Sequence, residues 1–182
     1  MKVLVVVDMQ NDFIDGSLGT KEAQGIVDNV VHKIEEYDKE GNMVVFTYDT
    51  HYSNYFCTKE GINLPVEHCQ FMSNGFKLNE NVNKSKDSIK KVRVDEYFKE
   101  TFGSVKLAED LSFERNSNPI ESIELVGLCS DICVISNALI FKAFMPEVEI
   151  IVDASCCAGV TPQSHKNAIE AMKMCQITIK GE

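Results

Sequence analysis

Four side chains that can take part in chemistry each follow an apolar segment of this sequence. Asp8 follows segment 3–7, Asp49 follows 43–47, Lys99 follows 89–94, and Cys133 follows 122–127. A carboxylate can serve as a general base, a thiol as a nucleophile and an ammonium group as a charge partner. Each residue alone has an ordinary alternative, such as a helix cap, a solvated lysine or a buried thiol. Their common position after predicted strands favours a functional site.

Cys133 has the surroundings of a reactive thiol. Ser130 is a good helix N-cap, which predicts that Cys133 lies in the first turn of the following helix. The helix dipole and the unpaired N–H groups of that turn favour the thiolate form. We expect Asp8 to accept the thiol proton and Lys99 to balance the charge.

Alternating strand-like and helix-like segments predict the scaffold that positions these residues. Compact apolar runs typical of buried parallel strands are 3–7, 43–47, 122–127 and 148–152, with weaker candidates at 89–94 and 176–180. Helical spacing occurs at 26–34 and 134–142, and Thr161 with Pro162 is suited to begin a last helix. A turn is expected at 114–119. This order predicts a parallel sheet covered on both faces, with ligands beyond the carboxyl ends of its strands.

Composition indicates a globular protein and disfavours several partners. With 182 residues and 44% apolar side chains, the chain is expected to form a single domain over residues 1–182. Its 28 acidic and 18 basic side chains give a formal charge of −10, which disfavours nucleic acid as a partner. The apolar run near the start is too short for a membrane span. Seven cysteines with no secretory signal before them favour a reducing cytoplasm and mostly free thiols.

Taken together, the motifs resemble one known family of enzymes. They are Asp8-x-Gln10-x-Asp12-Phe13, Asp49-x-His51, His68-Cys69, Lys99 and the segment from Gly127 to Val134. In order and spacing they are similar to the isochorismatase-like cysteine hydrolases, and most similar to the nicotinamidase (pyrazinamidase) branch. The resemblance implies a three-layer α/β/α fold with six parallel strands in the order 3-2-1-4-5-6. Asp8 and Cys133 would flank the point where the strand order reverses.

The resemblance also implies roles for individual residues. Cys133 would be the nucleophile, Asp8 the general base and acid, and Lys99 the third member of a catalytic triad. The backbone N–H groups of Cys129 and Cys133 would form the oxyanion hole, and a cis peptide bond would precede Cys129. Asp49, His51 and His68 would bind one divalent metal ion, with zinc expected first and iron or manganese as alternatives.

The sequence departs from the nicotinamidase pattern around the substrate. Nicotinamidases usually place a Trp near the His-Cys pair, whereas this chain has no Trp and has Leu64 or Pro65 near that position. Residues 70–75 also replace the usual small turn. Phe13 is expected to form one aromatic wall of the substrate pocket and Phe71 to supply the other. These changes affect the identity of the acyl group and leave the amide chemistry intact.

The function that this resemblance implies is cleavage of a small aromatic carboxamide, such as nicotinamide, to the acid and ammonia through a Cys133 thioester. Such an enzyme would act in NAD salvage and would form a dimer or tetramer. A related alternative is an amidohydrolase acting on a ureido or carbamoyl compound. An alternative from another class is a phosphoacceptor receiver domain in which Asp49 is phosphorylated, although the order of its motifs argues against it. A catalytically silent binding protein is disfavoured by the intact triad.

Three further residues have less defined predictions. Cys156 and Cys157 follow the strand end at 153–155 and are expected to be packed thiols. His165 lies early in the last helix, where a helix-surface position is favoured over a role in support of the site.

Overall fold

Six strands form one parallel sheet in the order β3-β2-β1-β4-β5-β6 in the computed structural model, which describes residues 1–114 and 119–182. The strands are β1 (Lys2–Val7), β2 (Met43–Asp49), β3 (Val94–Lys99), β4 (Ser122–Leu128), β5 (Glu149–Ala158) and β6 (Thr178–Lys180). All neighbouring pairs run parallel. The predicted sheet and its strand order are therefore confirmed.

Helices cover both faces of this sheet. They are α1 (Asn11–Ile14), α2 (Lys21–Gly25), α3 (Val27–Glu40), α4 (Lys59–Asn63), α5 (Glu80–Ser88), α6 (Val105–Glu114), α7 (Ile135–Phe144) and α8 (Pro162–Met174). One turn of 3-10 helix spans Tyr55–Cys57, and a π-helical turn spans Ser130–Val134. Helices α6, α7 and α8 pack on one face, and α1, α2, α3 and α5 pack on the other. The result is the predicted three-layer architecture.

The central strand β1 shows why the apolar runs of this sequence form buried strands. Val3, Val5 and Val7 belong to the core on one face, and Leu4 and Val6 belong to the core on the other. Because successive side chains of a strand point to opposite faces, a strand buried on both faces is apolar throughout. Thr161 also caps α8 as predicted, since its hydroxyl accepts a hydrogen bond from the Ser164 N–H.

The third strand lies later in the chain than predicted. The pattern indicated a strand at 89–94, whereas β3 spans Val94–Lys99 and pairs with β2 from Val44 to Asp49. As an edge strand it is only partly buried and carries charged residues, so it lacks the apolar signature of the inner strands. Ile89 and Val92 pack against the core from the segment before it. Lys99 is therefore the last residue of the strand itself.

The strand β5 is longer than predicted, and its pairing with β4 is irregular. It runs to Ala158 instead of ending at residue 152, so Cys156 and Cys157 lie within it as buried thiols. Its register against β4 shifts between Leu125 and Gly127. Gly127 has a φ of +115°, and a Cβ at this position would overlap the Val7 carbonyl. Glycine thus allows the close approach of β4 to β1 directly before the site.

Two further expectations concern regions outside the sheet. The predicted turn at 114–119 falls mainly on residues 115–118, which lie outside the described part of the chain. Among the described residues, no helix combines the length and apolar character needed to cross a membrane.

Candidate active site and metal centre

Asp8, Lys99 and Cys133 meet at the carboxyl edge of the sheet. Asp8 directly follows β1, Lys99 ends β3, and Cys133 lies in the π-helical turn after β4. The Lys99 Nζ lies 2.6 Å from Asp8 Oδ2 and 3.6 Å from Cys133 Sγ. All three residues are buried. The structure thus brings the predicted triad into one contact group, while the catalytic role of each member stays a prediction.

The carboxylate of Asp8 is fixed from two sides. Thr47 Oγ1 donates a hydrogen bond of 2.6 Å to Asp8 Oδ1, and Lys99 contacts the other oxygen. Asp8 has a φ of 48°, a conformation rarely adopted by residues other than glycine, and its N–H donates to the Thr47 carbonyl. The strained backbone and the two contacts hold the carboxylate at the centre of the site.

Burial changes the acid–base properties of this group. Burial raises the pKa of Asp8, although Lys99 opposes the effect, so its carboxylate is a stronger base than an exposed one. Burial also raises the pKa of Cys133 well above its usual value, with Lys99 acting in the opposite direction. Burial alone would lower the pKa of Lys99, but the nearby Asp8 and Cys133 hold it above the usual value. Burial therefore acts against the predicted thiolate and Lys99 acts in its favour, and the charge state of Cys133 stays a prediction.

The turn that carries Cys133 also begins differently from the prediction. Cys129, not Ser130, is the capping residue, and the turn has no side-chain cap. Ser130 is fully buried, and its hydroxyl lies 2.9 Å from His165 Nδ1. The expected cis peptide bond is present between Leu128 and Cys129. His165 therefore contacts the turn of the nucleophile instead of lying free on a helix surface.

A second cluster, adjacent to the triad, contains the predicted metal ligands. Asp49 Oδ2 lies 3.0 Å from His51 Nε2 and 3.4 Å from His68 Nε2. Glu60, which the sequence analysis did not identify, places Oε1 3.5 Å from His51 Nε2 and 3.6 Å from His68 Nε2. Asp49 also lies 3.6 Å from the Lys99 Nζ, which joins the two clusters.

The donor atoms of this cluster fit a divalent cation. One atom from each of Asp49, His51, Glu60 and His68 lies within 4.8 Å of the others. His51 Nε2 is buried and forms no well-aligned hydrogen bond, and His68 Nδ1 contacts the Val66 carbonyl at 2.8 Å, which leaves Nε2 toward the carboxylates. Two imidazoles with carboxylate oxygens are typical ligands of zinc, iron or manganese. This chemistry agrees with the predicted cation.

The contacts within this cluster change the pKa values of its members. Burial alone would lower the pKa of both imidazoles, but the adjacent carboxylates of Asp49 and Glu60 raise the pKa of His51 to about 9 and that of His68 to about 10. Burial acts to raise the pKa of Asp49, yet the two adjacent imidazoles bring it below its usual value. The cluster is therefore built for positive charge between the carboxylates.

The first motif of the sequence supports both sides of the metal cluster. The buried Gln10 side chain accepts a hydrogen bond from the Asp49 N–H and donates one to the Asp49 carbonyl, at 2.8 and 2.9 Å. Asp12 Oδ2 accepts a hydrogen bond of 2.8 Å from the Cys69 N–H, next to His68. These contacts connect the loop after β1 to two of the predicted ligands.

A cavity of about 320 Å³ opens directly above Cys133. Its polar floor includes Asp49, Glu60 and His68, and its apolar walls include Phe13, Leu64, Phe102, Ile132 and Val160. Cys129 and Cys133 also line it, so the two residues predicted for the oxyanion hole face the same space. Phe13 and Leu64 thus lie where the sequence analysis expected substrate contacts.

Phe71 does not line this cavity, which corrects the prediction of a second wall. Its ring is partly exposed and packs against Tyr52 and Phe76, with centroid distances of 5.6 and 5.4 Å. Phe102, which the sequence analysis missed, lines the cavity instead. Its position three residues after Lys99 was the available signal, because that segment follows a strand end.

Comparison with known proteins gives a consistent assignment. The isochorismatase domain matches residues 2–182. No curated protein matches the chain significantly. Among solved structures, the N-carbamoylsarcosine amidase from Thermoplasma acidophilum has 28% identity and a TM-score of 0.75, and the alignment covers 99% of this chain and 96% of that one.

Two nicotinamidase-type structures are also similar. The zinc complex of the pyrazinamidase from Pyrococcus horikoshii has 26% identity and a TM-score of 0.74 over 98% of this chain and 97% of that one. The nicotinamidase/pyrazinamidase from Bacillus subtilis has 23% identity and a TM-score of 0.79 over 99% and 100% of the two chains. Receiver domains use the sheet order 2-1-3-4-5, so the receiver alternative is wrong. The chain belongs to the isochorismatase family of hydrolases.

Proposed function

We propose that this chain is a cysteine amidohydrolase that cleaves a small, uncharged aromatic carboxamide of the nicotinamide type to the acid and ammonia. The observation that carries this proposal is the contact group of Asp8, Lys99 and Cys133, of which Cys133 lines the cavity. A base, a cation and a thiol in contact are the parts needed to form and hydrolyse a thioester.

The lining of the cavity supports an uncharged substrate. Aromatic and aliphatic side chains form most of its walls, and no Lys or Arg occurs among the described residues that line it. The ionisable lining residues include the carboxylates of Asp49 and Glu60, and the imidazole of His68 already contacts both of them, so an anionic substituent would meet like charge without a free cationic partner. The rings of Phe13 and Phe102 and the side chain of Leu64 offer apolar contact to a planar ring.

The proposed reaction begins with the Cys133 thiol and Asp8. Asp8 accepts the thiol proton while the sulfur attacks the carboxamide carbon, and Lys99 stabilises the negative charge shared by the two groups. The backbone N–H groups of Cys129 and Cys133 are proposed to bind the oxyanion, where one donor typically contributes about 10²–10³-fold in rate. Asp8 then protonates the amide nitrogen, the C–N bond breaks, and ammonia leaves behind a thioester.

The second half of the reaction releases the acid. Asp8 removes a proton from water, which attacks the thioester carbon, and the C–S bond breaks with return of the proton to sulfur. The net reaction converts one amide and one water to one acid and one ammonia. When bound, a divalent cation held by Asp49, His51, Glu60 and His68 would supply a Lewis acid that orients a ring nitrogen or a water at the cavity wall.

A second candidate substrate is a ureido or carbamoyl compound. The similarity to an N-carbamoylsarcosine amidase at 28% identity favours this candidate. N-carbamoylsarcosine carries a carboxylate, however, and the described lining of the cavity offers it no Lys or Arg side chain. We therefore rank the uncharged carboxamide first.

An ammonia-release assay with zinc-loaded and manganese-loaded protein tests this proposal. The substrates are nicotinamide, pyrazinamide, benzamide and N-carbamoylsarcosine. We expect release from nicotinamide and pyrazinamide, slower release from benzamide because it lacks the ring nitrogen, and little from the carbamoyl compound. Release from N-carbamoylsarcosine alone would select the second candidate, and no release from any of the four would reject the amidohydrolase.

Matched cysteine variants test the proposed nucleophile. Cys133→Ala is expected to abolish ammonia release, whereas Cys57→Ala, which removes an exposed thiol, leaves it unchanged. Hydroxylamine added during turnover should divert the acyl group to a hydroxamate, because it captures the thioester. Turnover by Cys133→Ala, or the absence of hydroxamate in an active enzyme, would contradict the covalent mechanism.

A further inference from the structure

The side chain of Asn137 joins the two segments that carry Lys99 and Cys133. Asn137 is fully buried in the first turn of α7 and is not among the residues that line the cavity. Its Oδ1 accepts a hydrogen bond of 2.9 Å from the Ser104 N–H. Its Nδ2 donates to the Cys133 carbonyl at 2.8 Å and to the Phe102 carbonyl at 3.4 Å.

These partners leave a single orientation for the amide group. A backbone N–H group donates to the amide oxygen, and the amide nitrogen donates to two carbonyl groups. A flipped amide would place its NH₂ group against the N–H donor and its oxygen against the two carbonyl oxygens. All three partners are backbone groups. Asn137 therefore fixes the course of the main chain at both segments and does not depend on any other side chain.

No strand pairing connects these two segments. Lys99 ends β3 at the edge of the sheet, and the Cys133 turn follows β4. Strands β2 and β1 lie between them in the strand order. The Asn137 side chain thus provides a direct link across a gap that the sheet spans only through two intervening strands.

The segment after Lys99 lies tightly against the helix of Asn137. A Cβ added at Gly103 would lie 2.5 Å from Ile140 Cδ1 and 3.2 Å from the Ser136 carbonyl oxygen. The Thr101 hydroxyl donates a hydrogen bond of 2.8 Å to the Gly103 carbonyl and closes this turn. Glycine at this position allows the close contact on which the Asn137 hydrogen bonds depend.

We propose that Asn137 is a positioning residue of the amidohydrolase, which sets the Lys99-to-Cys133 contact and the position of the Phe102 wall by holding residues 102–104 against the turn of the nucleophile. This inference rests on the proposed function. In this proposal the triad is aligned by the buried Asn137 amide as well as by the contacts among the triad members themselves. A displacement on the order of 1 Å in such a site typically costs about 100-fold in rate.

The test compares Asn137→Leu with Ser136→Ala. Ser136 lies beside Asn137 and donates a hydrogen bond to the Ile132 carbonyl of the same turn, but its side chain does not bridge to residues 102–104. In Asn137→Leu we expect kcat to fall about 10- to 100-fold and by a larger factor than KM changes. Ser136→Ala should stay within about twofold of the wild type in kcat. A folded Asn137→Leu protein with the kcat of the wild type would overturn the proposal.

A second readout does not depend on the substrate. The rate at which iodoacetamide alkylates Cys133, followed by peptide mass spectrometry, reports the surroundings of the thiol in the folded protein. We expect at least a several-fold change in Asn137→Leu and none in Ser136→Ala. An unchanged rate in Asn137→Leu would count against the positioning role. If the wild type releases no ammonia in any assay, the proposed function fails and the alkylation rates alone decide the role of Asn137.

Gly103→Ala provides the same comparison from the other side of the contact. The added methyl group must displace residues 102–104 from Ile140, so it should reduce kcat in the same way without changing Asn137. If Asn137→Leu does not fold, the kcat and alkylation rate of Gly103→Ala take its place. Wild-type values of both in a folded Gly103→Ala protein would overturn the proposal.

Discussion

The ammonium nitrogen of Lys99 lies 2.6 Å from Oδ2 of Asp8, although β3, which ends at Lys99, and β1, which Asp8 follows, are not neighbours in the sheet. Both side chains are buried, with at most 2% of either exposed. A buried ion pair is costly to break, because removal of one partner leaves the other charged in a medium of low polarity. The pair therefore links the stability of the fold to the proposed chemistry.

The first prediction concerns the loss of this cation. Lys99→Met leaves Asp8 buried without its partner, so we expect the free energy of unfolding to fall by about 3–5 kcal/mol. We also expect ammonia release to fall by at least about 100-fold, since no cation then stabilises the thiolate. Urea unfolding and the ammonia assay measure the two effects separately.

A double variant separates stability from activity for the same pair. Lys99→Met combined with Asp8→Asn removes both charges, so it should recover part of the lost stability and none of the activity. Lys39→Met, at an exposed position, serves as the control for loss of a lysine. Wild-type stability in Lys99→Met would show that the contact does not hold a charged pair.

The second prediction concerns proton release when a cation binds. With the pKa of His51 at about 9 and that of His68 at about 10, both imidazoles carry a proton at neutral pH in the metal-free protein. A cation bound to their Nε2 atoms must displace these protons, so we expect about two protons to be released per zinc ion at pH 7. Calorimetry in buffers with different ionisation heats counts them.

Variants of the cluster provide the comparison for this measurement. Glu60→Gln removes one carboxylate and should weaken zinc binding by about 10- to 100-fold. Glu67→Gln lies one residue before His68 and is exposed, so it should bind zinc like the wild type. A binding heat that is the same in all buffers, or zinc binding that is unaffected in His51→Ala, would contradict the assignment of the imidazoles as ligands.

The sequence alone predicts the features that depend on strand ends. Asp8, Asp49 and Cys133 follow strands whose apolar runs are clear, because those strands are buried on both faces. In a parallel sheet the residues after such strands converge at one edge. Their convergence could therefore be predicted without knowledge of any loop.

The residues that sequence reasoning missed depend on loops or on contacts between elements. Glu60 lies in α4, within the long connection between β2 and β3, and it approaches His51 and His68 only through the fold of that connection. Phe71 was misplaced because its ring packs against Tyr52 and Phe76, aromatic neighbours that no local pattern identifies. The effect of burial on the pKa of Cys133 could not be predicted from local sequence, because burial is a property of the whole fold.

The third prediction concerns pH and His165. Burial lowers the pKa of His165 below its usual value of 6.5, although Asp131 acts in the opposite direction. The unfolded chain then binds a proton at a higher pH than the folded protein does. The stability contributed by the neutral imidazole is therefore present above pH 6.5 and is lost as the pH falls through the lower, folded pKa.

Two histidine variants test this pH dependence. On acidification the free energy of unfolding should fall less in His165→Asn than in the wild type, because no imidazole remains at this position to take up a proton. His32→Asn, on the exposed surface of α3, should keep the wild-type slope. The measurement is the free energy of unfolding in urea between about pH 8 and pH 5. Equal slopes in His165→Asn and the wild type would contradict the assigned burial of this imidazole.

The last prediction concerns a buried charge network beneath α3 that holds the scaffold. Lys33 Nζ lies 3.0 Å from Glu124 Oε1 and 2.9 Å from Asp153 Oδ2, and the Tyr37 hydroxyl donates a hydrogen bond of 2.7 Å to Glu124 Oε2. Lys33→Met leaves two acidic groups without their cation, so we expect a loss of about 3 kcal/mol in the free energy of unfolding. Tyr37→Phe removes only one hydrogen bond to a charged group and should cost about 1.5–3 kcal/mol. Since neither side chain lines the cavity, kcat per folded molecule should stay at the wild-type value in both variants. Urea unfolding measures both losses of stability. A greater loss in Tyr37→Phe than in Lys33→Met would show that the Tyr37 hydroxyl, and not the Lys33 ammonium group, is the main stabilising partner of the Glu124 carboxylate.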